Sequence, residues 1–484
     1  MGRDSQPRSR TTERGARVSA PSVTIVGGGL AGITAALDCA SGGATVTLLE
    51  SRGRLGGAAY SFTRDGVNAD NGQHVFLRCC TAYRSLLAQL QASDCVTLQP
   101  RLEIAVLAPG GRRAWLRRSA LPAPLHLAGA LARYRFLSAR QRLGVAQAMR
   151  HLRAIDPDDP AMDARSFGDW LDEHRQDADA LDTVWSLIGR PTLNIEAAAA
   201  SLAQAAQVFQ LGLLRDSSAG DIGLARVPLS EIHDRAARRA LERAGVDVRL
   251  RRGATMVVPN GTGFSVEMNG LPTLETEYLI LAVPPDRAAP LLPAAAGVDR
   301  GIFARLGRSP IVNLHVVYDR PVLDVPFAAG VHTPVQWLFD RTESAGLSAG
   351  QYLVISLSAA DGELAATVDD LRATYLAALA ELLPAAQNAS VRTFFVTREH
   401  AATFRAAPGA RAARPGPRTN LPGLVLAGCW TDTGWPATME GAVRSGHAAA
   451  HEVLAAAAHA TKSLTAVAPG VPALAEDHLA GGRA

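Results

Sequence analysis

Gly27, Gly29 and Gly32 stand at G-x-G-x-x-G spacing, and Glu50 follows 18 residues after the last of them. Glycines at these intervals permit a tight turn, close approach of a pyrophosphate to the backbone, and a helix pressed against a strand. A carboxylate about 20 residues further on suits a ribose hydroxyl and argues against a 2′-phosphate. The chemistry implied is the binding of FAD or NAD(P). The N–H groups at Leu30 and Ala31 and the positive end of a helix dipole would face the phosphates. Ser51 follows the acid, and Arg54, Gly56 and Gly57 then form an R-x-G-G turn. Adjacent glycines let N–H groups close on an anion, and arginine pairs with phosphate. Placed directly after a dinucleotide unit, this turn favours FAD over NAD.

A second chemical stretch is Asp70-Asn71-Gly72-Gln73-His74-Val75, which passes from polar to apolar through a glycine turn. Histidine titrates near neutral pH; with this glycine turn beside a flavin, as the family resemblance given below implies, His74 is the candidate proton donor and Gln73 the candidate for orienting substrate or flavin. A solitary histidine also serves as a structural group, and that alternative stays open at this point. No Ser-His-Asp arrangement and no metal-ligand spacing occurs. The five cysteines, Cys39, Cys79, Cys80, Cys95 and Cys429, form no CxxC pair. Their odd number, with no secretory leader, fits a reducing cytoplasm. Adjacent Cys79 and Cys80 read as small apolar fillers.

The elements that must position these residues follow from pattern. Val23–Val26 and Thr45–Leu49 read as buried strands flanking a helix over Leu30–Ala40. The stretch from Ala164 to Leu214 is helical in pattern, with Phe167, Trp170, Leu171, Trp185 and Leu187, then Phe209, Leu211, Leu213 and Leu214, as a bulky apolar set. Stripes of this kind are usually core, and beside a long hydrocarbon some would line a tunnel instead, an alternative that stays open here. Leu229–Ala244 reads as a helix closed by Gly245. Val246–Leu250, Ala254–Val258, Phe264–Met268 and Tyr278–Val283 read as strands, with Asn260-Gly261 as a hairpin turn. Ile311–Tyr318 and Tyr352–Leu357 are expected strands and Thr367–Leu383 an expected helix. Leu424–Gly428 is a further buried strand, leading to Trp435-Pro436-Ala437-Thr438-Met439 and a helix with Pro436 in its first turn.

DNGQHVFLRCCTAYRSLL, the R-x-G-G turn and GWPATMEGAVRSG resemble the hydroxysqualene dehydroxylases, flavoproteins similar overall to carotenoid desaturases and flavin amine oxidases. The resemblance runs from about Val23 to Ala455. It implies an α/β fold with a Rossmann-like FAD-binding domain of the GR2 type, made of residues 22–70, 221–290 and 419–455. A substrate domain of mixed sheet plus helices is interleaved as 71–220 and 291–418. It also places Gly72, Gly428, Ala437, Thr438 and Met439 beside FAD. The implied reaction removes the hydroxyl of hydroxysqualene to give squalene, by hydride transfer from reduced flavin N5 to an allylic cation. One departure stands out: the family has Gly-Asp where this chain has Gly428-Cys429. That aspartate bonds the ribityl chain and cysteine is a poor acceptor, so one FAD contact is lost, and retention weakened, unless Asp432 or water replaces it. The runner-up activity is a carotenoid-type desaturase or isomerase. A non-catalytic flavoprotein-like module that binds an isoprenoid is the alternative from another class.

Composition sets the remaining bounds. With 484 residues, 48% apolar content and a formal net charge of +4, two joined domains are expected and nucleic-acid binding is not. No run of some 18 apolar residues suggests a membrane span. Between Glu103 and Asp156 there are ten arginines and no acidic residue. Residues 112–153 therefore read either as a peripheral contact with an anionic membrane on the inner face of the cell, or as a solvated helical face. The electron donor to FAD is left open. Residues 1–21 and 456–484 are expected to be disordered tails.

Overall fold

The computed structural model describes residues 20–466. Strand β1 (Ser22–Val26), helix α1 (Leu30–Ser41) and strand β2 (Thr45–Glu50) open the chain. They belong to a five-stranded, all-parallel sheet completed by Asp247–Leu250, Tyr278–Leu281 and Leu424–Leu426. Three widely separated parts of the chain thus build one sheet, with β1 between β2 and Tyr278–Leu281. Both faces of such a sheet are covered, so its strands read as unbroken apolar runs. Val23, Ile25, Val46, Leu48, Ile280 and Val425 are all buried.

A second sheet has seven strands in the order Val391–Thr403, Ser309–Tyr318, Gln351–Ser358, Trp337–Asp340, Phe327–Gly330, Glu103–Ala108, Arg112–Arg117. Its pairs are antiparallel except for Phe327–Gly330 with Glu103–Ala108, so the sheet is mixed. Helix Val368–Leu382, capped by the Thr367 hydroxyl, packs behind it. Helices between Ala128 and Leu214 form a layer over the front. Within that layer Phe167 stacks on Trp170 with centroids 5.7 Å apart, and Trp185 meets Phe209 at 5.2 Å. These aromatics are core, as their spacing suggested. The hairpin at Asn260-Gly261 joins Ala254–Asn260 to Gly263–Met268.

Three expectations need correction. The C-terminal helix spans Met439–Ala466, so residues 456–466 continue a helix rather than a tail, and 467–484 lie outside the described residues. Its alanine-rich face packs on α1, where a methyl at Gly446 would stand 2.4 Å from the carbonyl oxygen of Ala31. At the other end, residues 1–19 lie outside the described residues, whereas Pro21 accepts a hydrogen bond from Thr45 N at 2.9 Å and extends the pairing of β1 with β2 by one residue. Finally, Pro436 precedes the helix instead of sitting in its first turn. The Thr438 hydroxyl accepts from Gly441 N at 3.2 Å, making Thr438 the cap.

Two histidines are locked inside these layers. His315 is held by the Tyr352 hydroxyl at 2.6 Å and Thr397 at 3.1 Å, stacked on Phe395 at 4.3 Å. His233 meets the Tyr83 hydroxyl at 2.9 Å. Burial pulls His315 down to about 3 and His233 down to about 4. The unfolded chain therefore binds more protons than the folded one below about pH 6.5, and stability falls as pH drops from there toward 4. We expect a slope approaching about 1.4 kcal/mol per pH unit for each ring. Thermal melts between pH 7 and 4.5 check this, and a flat Tm would contradict it.

Candidate flavin and substrate site

The carboxyl ends of β1 and β2 carry the glycine turn and Glu50, which is where ligands sit on an open parallel sheet. Gly27 has φ +111°, and a methyl there would stand 2.4 Å from the carbonyl oxygen of Ala282. At Gly32 a methyl would stand 1.9 Å from the Gly27 carbonyl oxygen, so α1 can approach the turn only without a side chain. The R-x-G-G turn is pressed onto the first one. Gly56 N donates to Gly28 O at 2.9 Å, and a methyl at Gly57, with φ +58°, would stand 2.8 Å from Gly29 Cα. Glu50 closes the arrangement by accepting from Gly28 N at 2.8 Å and Arg52 N at 2.7 Å. Arg54 bonds the Gly57 carbonyl at 3.0 Å and lies 3.6 Å over the Tyr60 ring, its guanidinium pKa lowered chiefly by burial.

These turns form one end of a cavity of about 2160 Å3. Sites for a single small molecule occupy roughly 300–1,000 Å3, so this space exceeds what one such ligand fills. Of the residues singled out in the sequence, Gly27, Gly29, Leu30, Ala31, Glu50, Ser51, Arg54, Gly56, Gly57, Gly72, Gln73, His74, Gly428, Ala437, Thr438 and Met439 all line it. Gly32 and Asp432 do not. Gly32 packs helix on turn, as just described. Asp432 is exposed, with its carboxylate accepting from Gly434 N at 3.1 Å, so here it serves a surface turn and does not reach the cavity wall. Cys429 itself lines the cavity, and burial raises its thiol pKa.

Sequence reasoning missed other parts of the wall. Gly253–Thr255 and Ala282–Arg287 follow strands of the parallel sheet, and their place at strand ends was the available signal. Away from the glycine turns the wall turns aliphatic and aromatic. Leu127, Leu131, Val184, Leu187, Ile188, Val208, Leu211 and Leu213 come from the helical layer, and Phe327, Trp337 and Phe339 from the mixed sheet. A wide π turn at Gln210–Leu214 ends one helix and turns its leucines to the cavity.

Polar groups gather where Gly72 meets the mixed sheet. Asn71 bonds Ala58 O and Glu399 at 2.9 Å each, and its carbonyl accepts from Asn313 at 3.0 Å. Gln73 Nε2 and His74 Nε2 are buried without a hydrogen-bond partner, although both residues face the cavity. Burial first, and the Arg341 guanidinium second, bring His74 down to about 4, so its ring is neutral at neutral pH. Among the described residues no cluster of ligating side chains suits a metal ion.

Three substitutions separate these roles by FAD titration of the apoprotein. Gly57→Ala combines a left-handed backbone with a steric clash and should weaken FAD by roughly tenfold to a hundredfold. Cys429→Asp should tighten it by restoring an acceptor at the cavity wall. Asp432→Ala should leave it unchanged, and a loss there would return Asp432 to the site.

Comparison with known proteins agrees with this architecture. The family described as flavin containing amine oxidoreductase matches residues 30–454. A hydroxysqualene dehydroxylase of Rhodopseudomonas palustris is 29% identical over 442 residues, covering 90% of this chain and 98% of that one. A zeta-carotene desaturase of Synechocystis is 22% identical, covering 90% of this chain and 97% of that one. Among solved structures, a putrescine oxidase variant superposes with TM-score 0.68 at 21% identity, covering 90% of this chain and 99% of that one. Cyclohexylamine oxidase from Brevibacterium oxydans gives 0.65 at 18%, covering 90% and 99%. The glycine turns, the strand-end acid and the match across most of the chain make this protein an FAD-dependent oxidoreductase, a member of the flavin containing amine oxidoreductase family.

Proposed function

We propose that the protein reductively removes the hydroxyl of hydroxysqualene to give squalene. The observation that carries this reading is the pair of unpartnered polar atoms, Gln73 Nε2 and His74 Nε2, facing an otherwise largely apolar cavity. A pure polyene hydrocarbon would leave both atoms unpaired, at about 1–3 kcal/mol each. An alcohol on a long hydrocarbon pairs with them and fills the aliphatic remainder. When bound and reduced, FAD supplies the hydride that replaces oxygen on carbon. The chain's own groups do the rest. Gln73 orients the hydroxyl. His74 gives a proton at Nε2 to the departing oxygen, so that water leaves, and the leucine-lined wall keeps bulk water from the allylic cation.

Because His74 is neutral at rest, turnover through its imidazolium should climb as pH falls toward 4. His74→Ala should lose at least about tenfold in kcat, bind FAD normally and show no such climb. The decisive experiment is anaerobic: reduce the holoprotein, add hydroxysqualene, and follow flavin reoxidation while squalene appears by mass spectrometry. A coloured conjugated product would instead support a carotenoid-type desaturase. A protein that binds isoprenoid without flavin reoxidation would support a carrier.

The same reading includes a membrane as the source of substrate. Leu125, Arg150 and Arg153 both line the cavity and are exposed. Around them Leu121, Leu125 and Leu143 are 51%, 56% and 60% exposed. Arg133, Arg135, Arg140, Arg150 and Arg153 form no ion pair among the described residues. The earlier part of the arginine run differs: Arg113, Arg117 and Arg118 pair with Asp324, Glu103 and Asp221. Within the 112–153 stretch, the proposed contact surface is therefore centred on 121–153. No helix of the described residues is long and apolar enough to cross a membrane. An apolar cavity mouth with leucines and free arginines fits an anionic bilayer surface, each arginine adding about 1 kcal/mol. Liposome sedimentation should increase with anionic lipid and fall with salt, and Leu125→Asp with Leu143→Asp should reduce it. Binding indifferent to lipid charge would remove the membrane from the proposal.

A further inference from the structure

Arg414 is 7% exposed, yet it forms no ion pair among the described residues. Its guanidinium is spent on backbone carbonyls instead. Nε donates to Trp430 O at 3.4 Å, one terminal nitrogen to Trp435 O at 2.7 Å, and the other to Cys429 O at 3.2 Å and Thr431 O at 2.5 Å. On its other side it lies 5.1 Å from the centroid of Phe404. Cys429, Trp430, Trp435 and Phe404 all line the cavity. The charge therefore stands one layer of residues behind the wall. Two carboxylates are close enough to be felt, Asp432 and Asp163. The first is exposed, and the second is occupied by the Ser201 hydroxyl at 2.7 Å and Ala412 N at 3.0 Å.

Burying a cation with no carboxylate in contact is costly, and carbonyl dipoles with two more distant carboxylates offset only part of that cost. A site built this way is suited to an anion that arrives later. The helix start at Met439, capped by Thr438, turns its positive dipole end toward the same wall. We propose that Arg414 is a positioning residue with two effects: it staples the 429–435 loop into one shape, and its charge favours the anionic reduced flavin. The inference rests on the placement of the flavin ring beside this loop and not on the identity of the substrate. It assigns the cation role to a residue that touches neither cofactor nor substrate directly.

The two effects separate by substitution. Arg414→Lys keeps the charge but cannot span four carbonyls, whereas Arg414→Met loses both. FAD affinity is measured by titration and the flavin midpoint potential by anaerobic equilibration against a reference dye. Both variants should bind FAD more weakly than the parent protein. Only Arg414→Met should lower the reduced-to-oxidised ratio at fixed solution potential, by about tenfold, which is about 30 mV for a two-electron couple. A potential in Arg414→Met equal to that of the parent overturns the charge effect. Equal shifts in Arg414→Lys and Arg414→Met overturn it as well, because loop geometry alone would then account for both. Should Arg414→Met fail to fold, Arg414→Gln takes its place with the same two readouts. A result in which flavin is retained, Arg414 matters and hydroxysqualene is not consumed would sink the substrate proposal and leave this one standing.

Discussion

At the carboxyl edge of the parallel sheet two glycine turns are in backbone contact, Gly57 Cα facing Gly29 Cα and Gly56 N bonded to Gly28 O. A Cβ on Gly57 does not fit between them. Because the two turns touch, the start of α1 is open toward the cavity, Glu50 is drawn in to bond Gly28 N, and Arg54 is folded over Tyr60. A side chain at Gly32 or Gly57 would lift helix or turn away and widen the anion cradle. The rest of the site inherits its position from this contact, since Asn71 ties the next segment to Ala58 immediately after the R-x-G-G turn.

The mixed sheet and the helical layer supply a second, different environment. Their cavity-facing positions carry leucine, isoleucine, valine and aromatic side chains, while the stacked cluster of Phe167, Trp170, Trp185 and Phe209 packs behind them. The aromatic cluster holds the helices together, and the aliphatic residues form the apolar part of the cavity wall. Between the polar cradle and this wall lies the Gly72–His74 segment, anchored through Asn71 to Glu399 and Asn313 of the mixed sheet. Side chains on such a segment are fixed by both layers at once, which is how a polar group beside a cavity is preorganised.

Charges inside the protein fall into two kinds. Asp221, wholly buried, is paired with Arg78 at 2.8 Å and Arg118 at 2.6 Å, and Arg341 with Asp70 at 3.0 Å. These pairs weld the segments after the glycine turns to the substrate layer. Arg414 and His74 are of the other kind. The first has no carboxylate in contact with its guanidinium, and the second is kept neutral by burial and a neighbouring cation. Groups left electrostatically incomplete beside a cavity are suited to act on what enters it.

The sequence by itself determined the dinucleotide cradle, because its glycine spacing, its strands and its acid all lie within the first 57 residues and interact locally. It determined most strands and helices too, since apolar periodicity is a property of neighbours along the chain. Tertiary structure decided what depends on distant segments meeting. It turned Asp432 outward, carried the last helix past residue 455 onto α1 through Gly446, and paired Arg113, Arg117 and Arg118 with acids, two of them more than a hundred positions away. It also sorted the aromatic core from the aliphatic wall and set Arg414 behind the loop at 429–435. Nothing in local pattern carries that information, because burial and charge pairing are set by which surfaces the fold brings into contact.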